Sequence, residues 1–426
     1  MNERLLQFIW GAGHFNKNFL QTDRSEHIEI IDPGKLNVNQ GPDFLDARIR
    51  INGTVWVGSV ELHIYPDDWD KHGHGDDENY RNVILHVVWQ NKPSASISQQ
   101  SIKSISILEL APRVSKILLA QYEQWMNLDS FIPCQSSLGL VDNLHWQGWK
   151  ERILVERWQR KTARVKEMLL QNLFHWEETC WWMIARNFGN PVNADAFEAM
   201  ARSVPINIIW KHRSNIIQLE AILLGQAGLL NGRYKEGYSI LLQKEYRYQR
   251  EKYKLRPILI PVHFLRMRPG NFPTIRLAQL AMLMHQQENI FAGWLEANDL
   301  DNLKKDLDIV ANDHWHYHYR LDELSNFRIK RMGESMIDNL VMNTVCLMLF
   351  TYGQHLNDQP VKEKAIHWLK QLAPENNRII RKFNSLGIIS KNAFDSQALL
   401  ELKTSYCDLR KCLDCGIGRK ILGASF

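Results

Sequence analysis

No run of about 18 consecutive apolar residues occurs in the chain, so the usual signature of a membrane-spanning helix is missing. The opening MNERLLQFIWGAGHF has no basic cluster leading into a long apolar stretch, and no secretory leader is expected. There is no fixed-period repeat and no low-complexity tract, which excludes solenoids and tail-like linkers. Cysteine is sparse, at six residues in 426. Without export, those six point to a reducing cytoplasm and to metal ligation more than to a disulfide framework. Neither sign of charge dominates: 52 Lys and Arg against 47 Asp and Glu leave a net charge of +5. A strongly basic nucleic-acid arm is thereby excluded, while a nucleic-acid partner remains compatible.

Tryptophan is abundant, with 15 residues, which reads chiefly as bulky packing between helices. Residues 1–112 have a mixed pattern. ERLLQFIW shows helical spacing, whereas HIEIID, DARIRI, TVWVGSVELHI, NVILHVVW and SISILEL read as strands rich in Val and Ile. Gly53 marks a hairpin turn between the second and third of these. From 113 to about 400 the apolar residues recur at three- and four-residue spacing, as in WKERILVERWQRKTARVKEMLLQ. Residues 401–426 form a cysteine-bearing tail. The expected fold is α+β: a small mixed domain over 1–112, a large all-α domain over 113–400 and the C-terminal segment 401–426.

Acidic groups stand where the strands should be apolar. Asp43 follows Pro42 at the start of one strand, and Glu61 and His63 close the next. A hairpin through Gly53 lays the start of the first strand beside the end of the second. Glu61 and His63 share a face because they are two residues apart. Three polar ligands thus gather at one sheet end, an arrangement suited to Mg²⁺ or Mn²⁺ and to activation of water at a phosphodiester. Downstream, His72 and His74 alternate with glycine near Asp68, Asp76 and Asp77. They read as a solvated loop in preference to a second metal-binding or substrate-facing set. His86, alone in an apolar strand, reads as a hydrogen-bonded core residue.

Pro42-Asp43 and Glu61-Leu62-His63 resemble the PD-(D/E)xK nuclease superfamily, with histidine at the usual lysine position. That resemblance implies a restriction-endonuclease-like core, with Asp43 and Glu61 binding metal and Glu3 on the first helix assisting. His63 would orient or deprotonate the attacking water. A neutral imidazole does not supply the lysine's permanent charge, so the chemistry is altered or has been lost.

Cys407, Cys412 and Cys415 have the spacing C-x4-C-x2-C, which suits Zn²⁺ or a 4Fe-4S cluster. Cys134, in a proline-marked loop, is the expected fourth ligand. Cys180 and Cys346 sit in apolar helical contexts and read as core thiols. Arg266, Arg268 and Arg276 surround a Gly-Asn-Phe-Pro loop, where they suit either phosphate contacts or pairing with nearby acids. HWHYHYR reads as base-stacking or as packing.

GPDF, GSVELH, DWDKHGHGDDENYRNVILHVVW, LGQAGLL, RMRPGNFPTIRLAQLA, DSQAL and YCDLRKCLDCGIG together resemble an uncharacterised bacterial domain-of-unknown-function family, DUF2851, over nearly the whole chain. The functional expectation is a metal-dependent nuclease, or a nuclease-derived protein, acting on DNA or RNA and not on a membrane. The alternative is a catalytically silent nucleic-acid-binding or scaffold protein with an architectural cysteine site.

Overall fold

The computed structural model describes residues 1–37, 39–74, 77–92, 105–265 and 267–424. It is α+β, with a mixed sheet near the N-terminus followed by a large helical region. By internal contacts the chain divides into Met1–Glu151 with Leu400–Phe426, and Arg152–Leu399. This differs from the division expected from sequence. The cysteine-bearing tail belongs with the sheet, not to a segment of its own. The first unit also continues past residue 112, through α3 (Lys116–Asn127) and into α4 (Asn143–Gln171). Amphipathic periodicity identifies helices but not what they pack against, so composition placed the divide too early.

In the first unit, α1 (Glu3–Ala12) is started by Asn2, whose side chain accepts the Leu5 N–H at 2.9 Å. It ends at Gly13, where a φ of 68° requires the left-handed conformation that glycine adopts without strain. Leu5, Leu6, Phe8, Ile9 and Trp10 are buried, leaving Glu3 and Gln7 one turn apart on another face.

Six strands form one path in the order β1 (Leu20–Gln21), β2 (His27–Asp32), β4 (Phe44–Ile51), β5 (Thr54–His63), β6 (Val83–Val88) and β7 (Ile107–Glu109); β3 (Lys35–Leu36) pairs with β4 alongside. β2, β4 and β5 run antiparallel, while β6 and β7 add in parallel. The β4–β5 hairpin turns at Asn52-Gly53, both at positive φ (46° and 84°), as a tight primed turn demands. A register shift between Phe44 and Ala47 holds Asp46 at φ 60° and bends the start of β4.

The first four residues of β5 are exposed and the last six are buried. In that buried half Val60 and Leu62 alternate with Glu61 and His63, which are only 5% and 1% exposed. Both faces of the strand end are therefore covered, and one of them is polar. Gly58 makes this possible. A Cβ there would lie 2.5 Å from both the Asn82 carbonyl oxygen and Ile84 Cγ2, so the close β5–β6 approach depends on glycine.

The second unit buries a helical core that includes Trp181, Trp315 and Trp368. HWHYHYR is packed here. Trp315 is fully buried and donates Nε1–H to Glu220 Oε2 at 3.0 Å, and His314 stacks between Tyr238 and His318 at 4.0 and 4.1 Å. Glu334–His355 is long and apolar enough to cross a membrane, and 72% of its most apolar window is buried within the protein. The sequence reading missed this stretch because its few polar residues interrupt the apolar run.

Gly58→Ala is expected to destabilise the protein by about 1–3 kcal/mol, the usual range for overpacking. Urea unfolding should show a lower midpoint at unchanged slope, and an unchanged midpoint would contradict the close-packing argument.

Candidate metal centre

The hairpin lays Asp43 across from Glu61, as the pairing of Phe44 with Val60 requires. Two reciprocal hydrogen bonds then tie the acids together. The backbone N–H of Asp43 donates to Glu61 Oε2 at 3.0 Å, and the N–H of Leu62 donates to Asp43 Oδ2 at 3.1 Å. Asp43 Oδ1 accepts the amide of Gln7 at 2.7 Å. Glu3, one turn earlier on α1, contributes negative potential to both acids.

Glu61 Oε1 faces elsewhere. It lies 3.4 Å from His63 Nε2 and 3.4 Å from His74 Nε2. His63 Nε2 is also 3.2 Å from His72 Nδ1. One ligand atom from each of His63, His72 and His74 lies within 4.8 Å of the other two. Behind them His63 Nδ1 meets His86 Nε2 at 2.9 Å, and β5–β6 register places His86 directly beside Glu61. His86 is fully buried, and its Nδ1 has no partner. With both rings neutral, a proton on His63 Nδ1 donated to His86 leaves the His63 Nε2 lone pair facing Glu61. This is how an outer imidazole fixes a ligating tautomer. His74 is stacked on Tyr80 at 3.9 Å, and Trp69 packs edge-on to His63 and His74.

Burial sets the electrostatics. It raises the Asp43 carboxyl to about 6, against hydrogen bonds from Leu62 and Gln7 that pull it down. Burial, reinforced by the neighbouring Asp43, raises Glu61 to about 8. The same burial, with neighbouring histidines adding to it, lowers His63 to about 2; His86 falls to about 4. A pair of acids that resists ionising beside imidazoles that resist protonation is a donor set short of positive charge. A divalent cation supplies that charge without a proton.

One family profile, described as "Protein of unknown function (DUF2851)", matches residues 3–378. The chain belongs to the DUF2851 family. No curated protein and no solved structure matches it. The matched span of this DUF2851 chain contains every residue of the centre just described and Cys134, and stops short of Cys407, Cys412 and Cys415.

The structure brings Asp43, Glu61, His63 and Glu3 together. The reading of His72 and His74 as a solvated loop holds for His72 only in part: it stays exposed, yet its Nδ1 lies 3.2 Å from His63 Nε2, while His74, half-buried, reaches Glu61 Oε1 after the short helix α2 (Asp68–Lys71). Asp76 lies outside the described residues. Gln7 was not singled out, although its spacing of four from Glu3 is a face-sharing signal. Cys134, Cys407, Cys412 and Cys415 lie in the same unit of the DUF2851 chain as the acids.

Arg266 lies outside the described residues, and Arg268 is exposed. Arg276 is turned inward. It is 8% exposed and donates to Gln279 Oε1 at 2.9 Å and Asn271 Oδ1 at 2.5 Å, and burial lowers its pKa to about 10. Its guanidinium holds the loop together and does not present itself to a phosphate.

The raised Glu61 pKa has a stability consequence. Above about pH 7.5, well past the unfolded value of 6.5, His63 and His86 are neutral both folded and unfolded and add little slope; below that, their lowered folded pKa values make stability rise with pH, opposite to the Glu61 trend. Glu61 remains protonated in the folded state up to about pH 8 but is ionised when unfolded. Its stabilisation is therefore full below the unfolded value near 4.5 and is lost as pH rises through about 8. Metal-free protein is expected to lose at most about 1.4 kcal/mol per pH unit from this group between pH 7 and 8. Thermal unfolding at several pH values tests this: Glu61→Gln should flatten the slope, and an unaltered slope would contradict the assignment.

Proposed function

We propose that this chain is a metal-dependent phosphodiester hydrolase acting on nucleic acid, with its centre at Asp43, Glu61, His63, His72 and His74. The observation that carries the reading is the convergence of Glu61 Oε1 with His63 Nε2 and His74 Nε2, each at 3.4 Å, beside a second carboxylate bonded to the same strand pair.

The order of elements supports it. α1, bearing Glu3 and Gln7, is followed by the antiparallel set β2, β4 and β5, then by the short helix α2 and β6, which is parallel to β5. The Pro-Asp start of β4 and the Glu-x-His end of β5 are the parts of the PD-(D/E)xK resemblance on which the reading draws. Within that frame Glu61 and the histidine trio would hold the cation, and Asp43 would ligate it or buffer the charge of Glu61. The ion would supply Lewis acidity and a hydroxide-like water at neutral pH. Carboxylate oxygens alone suit Mg²⁺ or Mn²⁺; the imidazoles of this site shift the preference toward Mn²⁺ and other transition ions.

The chain's own residues supply the remaining functions. Neutral His63, backed by His86, replaces the fixed positive charge of a lysine with a directed lone pair, so charge neutralisation falls to the ion and acceptor chemistry to the ring. A groove of about 730 Å³ runs beside His74 and is lined by Trp56, Trp69, Tyr80, Arg24 and Arg81, among others. Trp56 is 51% exposed. Aromatic faces with guanidinium groups favour nucleic acid through base stacking and phosphate contact.

Purified protein incubated with labelled single- and double-stranded DNA and RNA in Mn²⁺, Mg²⁺ or EDTA tests the proposal. Cleavage is expected with Mn²⁺, weaker cleavage with Mg²⁺ and none in EDTA. Glu61→Gln should reduce the rate by at least 100-fold while leaving the circular dichroism spectrum unchanged. Salt-sensitive binding that survives Glu61→Gln, with no cleavage by wild type under any metal, would favour the catalytically silent reading instead.

A further inference from the structure

Four of the six cysteines are gathered in one place. Cys134 opens the 3₁₀ turn Gln135–Leu140, Cys407 ends the π-helical turn Leu402–Cys407, and Cys412 and Cys415 lie in the turn that leads into the last helix, Gly416–Ala424. Each of Cys134, Cys407, Cys412 and Cys415 has the other three within electrostatic reach. Cys180 and Cys346 have no thiol among their neighbours of influence. All six are free of disulfides. Cys134, Cys412 and Cys415 are only 6–7% exposed.

Burial works against negative charge on the sulfurs, and a few donors and cations stand beside them to oppose it. Backbone N–H groups of Gly418 and Ile417 point at Cys415. Lys403 lies beside Cys407 and Arg410 beside Cys412. Arg410 is itself anchored to the carbonyls of Trp125 and Leu128 at 2.5 and 3.0 Å. Two glycines allow the close wrap. A Cβ at Gly418 would stand 2.3 Å from the Cys412 carbonyl oxygen, and one at Gly416 would stand 2.5 Å from the Trp149 ring. Burial raises the pKa of all four thiols, so a bound cation, and not the local donors alone, is what would hold them as thiolates.

Spacing distinguishes the candidate metals. A zinc ion bound at about 2.3 Å by four thiolates draws the sulfurs to roughly 3.8 Å of one another. Among the described residues, the groups whose ligand atoms all lie within 4.8 Å are the histidine trio and Glu236, His314 and His318; no three cysteines form such a group. The sulfurs stand wider than one tetrahedral ion requires. A cubane cluster takes each thiolate on its own iron and so spans a wider set.

We infer that Cys134, Cys407, Cys412 and Cys415 hold a single 4Fe-4S cluster that fastens the segment Leu400–Phe426 onto the sheet-bearing unit. The oxidised core with four thiolates carries a net charge of −2, and Lys403 and Arg410 are placed to offset it. The cluster closes a loop of more than 270 residues, so its loss should free the last helix.

Protein purified without oxygen, then assayed for iron, acid-labile sulfide and zinc, tests the inference on the wild-type chain. Four irons and four sulfides per chain, with a visible absorption bleached by dithionite, are expected. One zinc per chain without sulfide would overturn the cluster, as would metal-free protein. Cys412→Ser should lose the iron, while Cys346→Ala should keep it; iron retained in Cys412→Ser would overturn the ligand set. Should Cys412→Ser fail to fold, stripping wild-type iron with ferricyanide and EDTA supplies the second reading. Proteolysis within 400–426 should then rise at least tenfold, and unchanged proteolysis would overturn the fastening role. None of these readouts depends on nucleic-acid cleavage, so they stand or fall apart from the hydrolase proposal.

Discussion

The site depends on two hydrogen bonds that use β-ladder donors for side-chain acceptors. Asp43 gives its N–H to Glu61, and Leu62, next in sequence to Glu61, gives its N–H to Asp43. Each carboxylate is thereby fixed to the backbone of the other's strand. Rotamer freedom is lost on folding and not on binding, which is the meaning of preorganisation at a metal site. The arrangement also keeps two acids together in a buried place. Burial and mutual repulsion would otherwise drive them apart or neutralise them. The raised pKa values of both groups measure that tension.

The histidines answer it. Glu61 turns Oε1 toward His63 and His74 while Asp43 is held by neutral donors, so the centre is asymmetric. His86 supports His63 from the neighbouring parallel strand, and Gly58 lets that strand approach. Fold and site therefore share a cause. The parallel addition of β6 to β5 covers the strand end, and the covered end is where a carboxylate and imidazoles acquire altered proton affinities.

Much of this was legible in the sequence, and what was not has physical reasons. Alternation and the Asn52-Gly53 turn disclosed the hairpin, and the hairpin placed Asp43 beside Glu61. The E-x-H spacing put Glu61 and His63 on one face. His72 and His74 were read as a solvated loop because glycine-flanked histidines carry no periodicity; His72 is indeed exposed, and only the tertiary turn after α2 brings His74 to Glu61. Arg276 suited either a phosphate or a structural partner from its spacing; it is buried, and its terminal nitrogens donate to Gln279 and Asn271. The cysteine trio was visible as a motif. With Cys134 as its expected fourth ligand, the trio already tied the last segment to the stretch near residue 134; that this stretch belongs with the sheet was not legible, since periodicity does not say what a helix packs against.

Diffraction from crystals soaked in Mn²⁺, recorded at the manganese edge, tests the central claim most directly. The account requires one anomalous peak bonded to Glu61 Oε1, His63 Nε2 and His74 Nε2, with its coordination shell completed by His72, Asp43 or water. A peak elsewhere with this pocket unfilled, or imidazoles that turn away from Glu61 in the presence of the ion, would contradict it.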